Sequence, residues 1–124
     1  MSPVSTVLLV DDDENLRAVL SEFLRMEGAA CVAAASLAQV EAQAEAALAT
    51  QLAILDVNLG ARQPTGVEVC RWLREHGFMG PIVFLTGHAA TDPRVVEASR
   101  QPNTRVLSKP VAGEVIAELV ASGR

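Results

Sequence analysis

Five short apolar runs, each followed by a stretch with helical spacing, constrain the fold of this 124-residue chain more than anything else in it. "TVLLV" (6–10), "ACVAA" (30–34), "LAILD" (52–56), "PIVFL" (81–85) and "TRVLS" (104–108) read as strands bounded by turn residues. Where the apolar character is nearly continuous, it suits a sheet covered on both faces. Helical patterns fill the gaps. Leu16, Leu20, Phe23 and Leu24 recur at helical spacing, with Gly28 as the stop. Ser36 and Gln39 form a capping-box pattern, and Leu37, Val40, Ala44 and Leu48 share one face of the second helix. Val67, Cys70 and Leu73 make a third stripe, ended by Gly77. Asp92-Pro93 pairs an N-cap with a first-turn proline, and Pro102 limits this fourth helix to about two turns. A last helix covers residues 112 to 121. Five strands alternating with five helices predict an α/β domain with a parallel sheet and right-handed crossovers. The length, with no repeat or linker, predicts a single domain over residues 1–124.

Composition narrows the class. Half the residues are apolar and a fifth are charged, the balance of a globular chain. No apolar run is long enough to span a membrane as a helix. "MSPVSTVLLVDDDE" lacks the basic region of a secretory signal. Cys31 and Cys70 are too few for a disulfide framework and lack metal-type spacing, so they read as small buried hydrophobes in a reducing cytoplasm. A net charge of −5 argues against direct nucleic acid binding by this domain.

In open α/β sheets, sites form beyond the carboxyl ends of the strands. After the first strand stand Asp11, Asp12, Asp13 and Glu14. Such a run can be a solvated helix start, which suits Asp13 and Glu14. Asp11 and Asp12 directly follow a buried strand. Together with Asp56 from the third strand they would repel one another unless a cation sat between them, and oxygen ligands of this kind suit Mg²⁺. Asp56 reads either as a turn cap or as an aspartyl nucleophile able to carry a phosphoryl group. Thr86 is either a strand-end hydroxyl or a donor to a phosphoryl oxygen. Gly87 would let the backbone approach closely and offer its N–H. Lys109 is the only lysine beside nine arginines. Its compact ammonium, unlike a planar guanidinium, would neutralise a phosphoryl oxygen as a point charge.

With these residues in place, the chain resembles the receiver domains of two-component response regulators. The likeness runs the whole length and rests on four motifs in order: "VLLVDDDENLR" (7–17), "LAILDVNL" (52–59), "VFLTG" (83–87) and "LSKP" (107–110). The resemblance implies a doubly wound, flavodoxin-like sheet in the order 2-1-3-4-5, with a short fourth helix. It implies that Asp56 accepts phosphate from a histidine kinase or a histidine phosphotransfer protein. By the same likeness Asp12 and Asp56 ligate Mg²⁺ directly, Asp11 acts largely through water, and the Asn58 carbonyl adds a ligand. Thr86, Gly87 and Lys109 would bind the phosphoryl group, and the bond before Pro110 matches one that is often cis in the family. Such a protein is cytoplasmic, switches a downstream target, and catalyses only its own phosphorylation and dephosphorylation.

The chain also departs from the family pattern. Members usually carry Pro four residues after the acceptor and Gly eight after, where this chain has Gly60 and Pro64. The matching glycine is Gly66, so the loop "GARQPTG" (60–66) is about two residues longer. The family's switch aromatic is Val106 here, and the chain has no Tyr. His76, near a helix end, reads as a cap, and His88, two residues after Thr86, as a solvent-exposed side chain. A different class, the haloacid dehalogenase-like phosphohydrolases, uses a similar inventory. Its nucleophile lies on the first strand with an acid two residues later; here the candidate is on the third strand and the residue two later is Asn58. A third reading is a receiver cut from a larger regulator or hybrid kinase, although the initial Met and the complete last helix fit a stand-alone protein.

Overall fold

The structure is a computed structural model and describes residues 4–122. Its strands are β1 (Thr6–Val10), β2 (Ala30–Ala34), β3 (Leu52–Asp56), β4 (Ile82–Thr86) and β5 (Thr104–Ser108). All pair in parallel, in the order β2-β1-β3-β4-β5. Its helices are α1 (Glu14–Met26), α2 (Leu37–Ala42), α3 (Ala44–Leu48), α4 (Gly66–Glu75), α5 (Pro93–Ser99) and α6 (Gly113–Ser122).

Alternation along each strand explains the apolar runs. Leu8 and Val10 of β1 point into one core, with Leu55, Phe84 and residues from α2 to α5. Val7 and Leu9 point into the other, against Leu20, Leu24, Ile116 and Leu119 of α1 and α6. Helices therefore cover both faces, and β3 and β4 are buried at every position. The outer strands β2 and β5 are only partly buried. They sit at the sheet edges, where one flank has no neighbouring strand.

Two expectations need correction. The second helix is two: α2 and α3 are separated at Gln43, whose side-chain amide donates to the Ala33 carbonyl of β2 at 2.9 Å. There Gln43 leaves helical geometry (φ −127°, ψ 41°), so the described residues form six helices and not five. The fourth strand starts one residue late, at Ile82. Pro81 has no N–H to give the ladder, although its carbonyl still accepts from Ala53. Thr86 thereby becomes the last residue of β4.

The end signals read from the sequence act as expected, and Thr65, which was not among them, caps α4. Asp13, Ser36, Thr65 and Asp92 each accept a hydrogen bond from an amide in the first turn of their helix. Gly28 and Gly77 end α1 and α4 with φ of +89° and +94°, a conformation that costs Gly least. His76 is the C-cap of α4, stacked on Trp72, with Nδ1 2.8 Å from the Trp72 carbonyl oxygen. The helix after β4 is short, as the bracketing prolines require: α5 has seven residues.

Gly66 marks where the longer loop rejoins the fold. Its amide donates to the Val57 carbonyl at 2.9 Å, and a Cβ there would collide with the main-chain carbonyl of Asp56. Gly87 has nothing within 4 Å of the same position. Gly66→Ala should therefore lower stability by about 1–3 kcal/mol through forced backbone movement, while Gly87→Ala stays within about 0.5 kcal/mol. Urea unfolding of both variants checks the contrast, and equal effects would contradict it.

Candidate functional site

Stagger in a parallel sheet brings distant residues to one point. Asp56 is opposite Leu85 in the β3–β4 register, and Thr86 is opposite Ser108 in the β4–β5 register. β4 therefore reaches one residue further than β3, β5 ends level with β4, and Lys109 follows Ser108. The Lys109 amide donates to the Thr86 carbonyl at 2.8 Å, which carries the pairing past the end of β5. The Lys109–Pro110 peptide is cis. On the other side of β3, Asp11 extends β1 by donating its amide to the Ala34 carbonyl at 3.0 Å.

The side chains meet at this edge. Lys109 Nζ donates to Asp56 Oδ2 at 2.9 Å and lies 3.3 Å from Asp11 Oδ2. Asp56 Oδ1 accepts from the Asn58 amide at 3.2 Å, and Asp11 Oδ1 accepts from the Asp13 amide at 2.9 Å. The Thr86 hydroxyl oxygen accepts from the His88 amide at 3.0 Å, which leaves its own O–H able to donate. Asp12, Asp13, Asp56, Asn58, Gly87, His88 and Lys109 line one open cleft of about 340 Å³. Asp11 and Thr86 are buried behind it, at 0% and 3% exposure.

Carboxylate oxygens of Asp11, Asp12 and Asp56 all lie within 4.8 Å of one another. Among the described residues, Asp11 Oδ2 is the buried side-chain oxygen that accepts no hydrogen bond. A buried carboxylate oxygen in that state is costly unless a cation faces it. Lys109 supplies one positive charge for three negative ones. The donor set is all oxygen, with Asp12 exposed to the cleft, so these residues could hold a hard divalent ion that keeps some of its water.

Burial is the main reason that the Asp56 carboxyl is pushed up to about 6; the nearby Asp11 charge adds to the rise, and Lys109 and the Asn58 amide oppose it. Burial alone would lower the Lys109 ammonium, but its hydrogen bond to Asp56 and the charges of Asp56 and Asp11 prevail and hold it above its usual range.

The sequence nominated Asp11, Asp12, Asp56, Asn58, Thr86, Gly87 and Lys109, and all of them gather at this one edge. His88 is exposed as expected, yet it is not isolated. Arg94 Nη2 lies 3.3 Å from its Nε2, and Asp92 Oδ2 lies 3.9 Å from its Nδ1. Two arrangements went unread in the sequence. Asp13 lines the cleft while capping α1, and Arg17 Nη1 donates to the Asp11 carbonyl at 2.8 Å. No sequence signal separates Arg17 from any other helical arginine.

The chain belongs to the response regulator receiver domain family, whose family model matches residues 7–121. It is 36% identical over 121 residues to the response regulator protein FleR of Pseudomonas aeruginosa, a match covering 93% of this chain and 24% of that protein. It is 36% identical over 96 residues to the transcriptional regulatory protein GltR of the same organism, covering 73% of this chain and 37% of that one. The chain thus spans well under half the length of these relatives. Among solved structures it is similar to the Vibrio cholerae chemotaxis protein CheY4, with a TM-score of 0.78, 29% identity, and coverage of 93% of this chain and 94% of that one. The receiver domain of NtrX from Brucella abortus shares the fold at a TM-score of 0.79 and 22% identity, with coverage of 91% and 92%. The family match does not favour a phosphohydrolase, and Asp56 lies on the third strand in chain order. Among the described residues, no helix is long and apolar enough to cross a membrane.

A raised carboxyl pKa has a definite sign. The folded state keeps a proton on Asp56 up to about 6, against an ordinary value of 3.8, so it binds more protons than the unfolded chain between these limits. Stability from this group must fall as pH rises through that window. In metal-free buffer, Asp56→Asn should gain stability relative to wild type from about pH 4 to 6, with the difference level above that. Denaturant melts of both proteins across this range check it; a difference that shrinks with rising pH would refute the assignment.

Proposed function

We propose that this chain is a phosphorylated signalling receiver, one domain over residues 1–124, with Asp56 as the acceptor. A carboxylate at the end of a buried central strand, held 2.9 Å from Lys109 and grouped with Asp11 and Asp12, is the observation that carries this reading. The donor is phosphohistidine on a histidine kinase or a histidine phosphotransfer protein. An Asp56 oxygen attacks phosphorus, the N–P bond breaks, and the imidazole leaves with the electron pair and takes up a proton. Transfer yields an aspartyl phosphate and a free histidine.

The chain's own groups prepare and receive that charge. Asp11, Asp12 and Asp56, with the Asn58 main-chain carbonyl, would hold Mg²⁺. When bound, Mg²⁺ supplies charge neutralisation for the transferring phosphoryl oxygens. Lys109 then exchanges its Asp56 partner for a phosphoryl oxygen. The Thr86 hydroxyl and the Gly87 N–H donate to the remaining oxygens, in a site fixed before the reaction starts. The same residues later admit the water that hydrolyses the acyl phosphate, so the domain acts on itself and not on a free substrate. Its output is an altered contact with a downstream protein target. This domain contacts neither nucleic acid nor membrane, and its setting is the cytoplasm.

Acetyl phosphate with Mg²⁺ should add one base-labile phosphoryl to wild type and none to Asp56→Asn, as read by intact mass. Labelling of Asp56→Asn at the wild-type level would overturn the assignment, and turnover of generic phosphoesters would return the phosphohydrolase reading. Mg²⁺ at a hundred times its dissociation constant should raise stability by about 2.7 kcal/mol over a chelator control.

Lys109→Arg tests the ammonium itself. It should keep the fold but lose the response to phosphorylation, because a planar fork does not replace a point charge between two carboxylates. An amine-reactive reagent can modify only Lys109 and the N-terminus. Mg²⁺ with beryllofluoride should protect Lys109 and leave the N-terminus reactive; equal Lys109 labelling with and without them would rule out its contact with the phosphoryl.

A further inference from the structure

Arg17 lies one turn into α1 and takes no part in the chemistry proposed above. Its side chain is half-buried, and its Nη1 donates to the main-chain carbonyl of Asp11 at 2.8 Å. That carbonyl belongs to the peptide unit joining Asp11 to Asp12. A peptide unit is planar, so fixing its C=O also fixes the Asp12 N–H and restrains the turn between the two Cα atoms from which both carboxylates leave.

The rest of Asp11 is already held. Its amide donates to Ala34, and its Oδ1 accepts from the Asp13 amide. Its Oδ2 accepts no hydrogen bond and is aimed at the Asp12 and Asp56 carboxylates and at Lys109. Arg17 therefore closes the one peptide that could turn and carry the two carboxylates apart. The Asp13 side chain is committed to capping α1, so the turn is held from both ends of the acidic run.

We propose that Arg17 is a positioning residue for the divalent-cation pocket, acting through the Asp11–Asp12 peptide. This rests on the reading that Asp11, Asp12 and Asp56 bind Mg²⁺. Two effects of the guanidinium oppose each other. Its charge repels a divalent ion, so loss of the charge alone would tighten binding. Its hydrogen bond holds two ligands in place, so loss of the bond would weaken binding. The sign of the change decides between them.

The test is calorimetric titration of Mg²⁺ into the full chain, for wild type, Arg17→Met, Arg17→Lys and Asp12→Asn. Arg17→Met should weaken binding by about ten-fold, the size of effect seen when a supporting partner of a metal ligand is removed. Arg17→Lys keeps a donor without the fork and should fall between Met and wild type. In labelling by acetyl phosphate, the Mg²⁺ concentration for half-maximal rate should rise by the same factor, while the rate at saturating Mg²⁺ stays near wild type. Mg²⁺ affinity that is unchanged or tighter in Arg17→Met, with a native circular dichroism spectrum, overturns the proposal. If Arg17→Met does not fold, wild-type affinity in Arg17→Lys and in Arg17→Gln overturns it. If Asp12→Asn binds Mg²⁺ as tightly as wild type, or wild type does not bind it, the pocket reading fails first and this inference with it.

Discussion

One ammonium facing three carboxylates is the constraint around which the rest of this molecule is arranged. Asp11 and Asp56 are buried, and Lys109 touches both. Two like charges 4 Å apart repel by about 4 kcal/mol at the effective dielectric of a protein surface. One Lys cannot cancel three such charges, so the site is short of positive charge by construction. Burial answers part of this by raising the Asp56 carboxyl toward neutrality. The remainder is an appetite for cations. That is the physical basis for expecting a divalent ion before phosphorylation and a redistributed Lys109 after it.

Such a site needs a scaffold that can bring acids together without collapsing, and a parallel sheet with two covered faces does so. β3 and β4 are inaccessible along their length, so the first place their side chains can meet water is the carboxyl edge. Asp56 and Thr86 occupy those last positions. The two cores hold the strands from opposite sides, Phe84 in one and Val83 in the other. Movement of any single strand end would have to disturb both. Gly66 adds a further restraint, because the start of α4 sits directly against the Asp56 carbonyl.

Most of this was legible in the sequence because it rests on local rules. Continuous apolar runs gave the five strands, and Asp13, Ser36 and Asp92 mark helix starts through hydrogen bonds that span only two or three residues. Strand-end carboxylates, a hydroxyl and a lone lysine nominated the candidate site, and these residues gather at one edge. What stayed hidden depends on tertiary contact. The break at Gln43 arises from a bond to β2 that no helical periodicity encodes. The exposure of β2 follows from strand order and not from composition, since "ACVAA" is as apolar as the buried strands. Arg17 looks like any surface arginine until the β1–α1 turn places the Asp11 carbonyl against it.

The same distinction explains how α5 is held without an aromatic ring at position 106. Val106 packs against the core as a partly buried residue, and α5 adds only Val95 and Ala98 as buried side chains. Its other ties come from α4. Arg71 pairs with Glu97 at 2.9 Å, but both side chains are about half exposed, so the pair contributes little. Arg74 does more. One of its nitrogens donates to the Phe78 and Gly80 carbonyls, the other to those of Pro102 and Asn103, and its guanidinium lies over the Phe78 ring. It thus joins the loop entering β4 to the loop leaving α5, at the edge of the sheet opposite the acidic cleft. At the cleft edge α5 begins with Asp92, bonded to Arg94 and close to His88. The helix is therefore anchored at its far end by main-chain carbonyls and at its near end by exposed charges. His88 lines the cleft, so a change of charge there would meet the second of these anchors before the first.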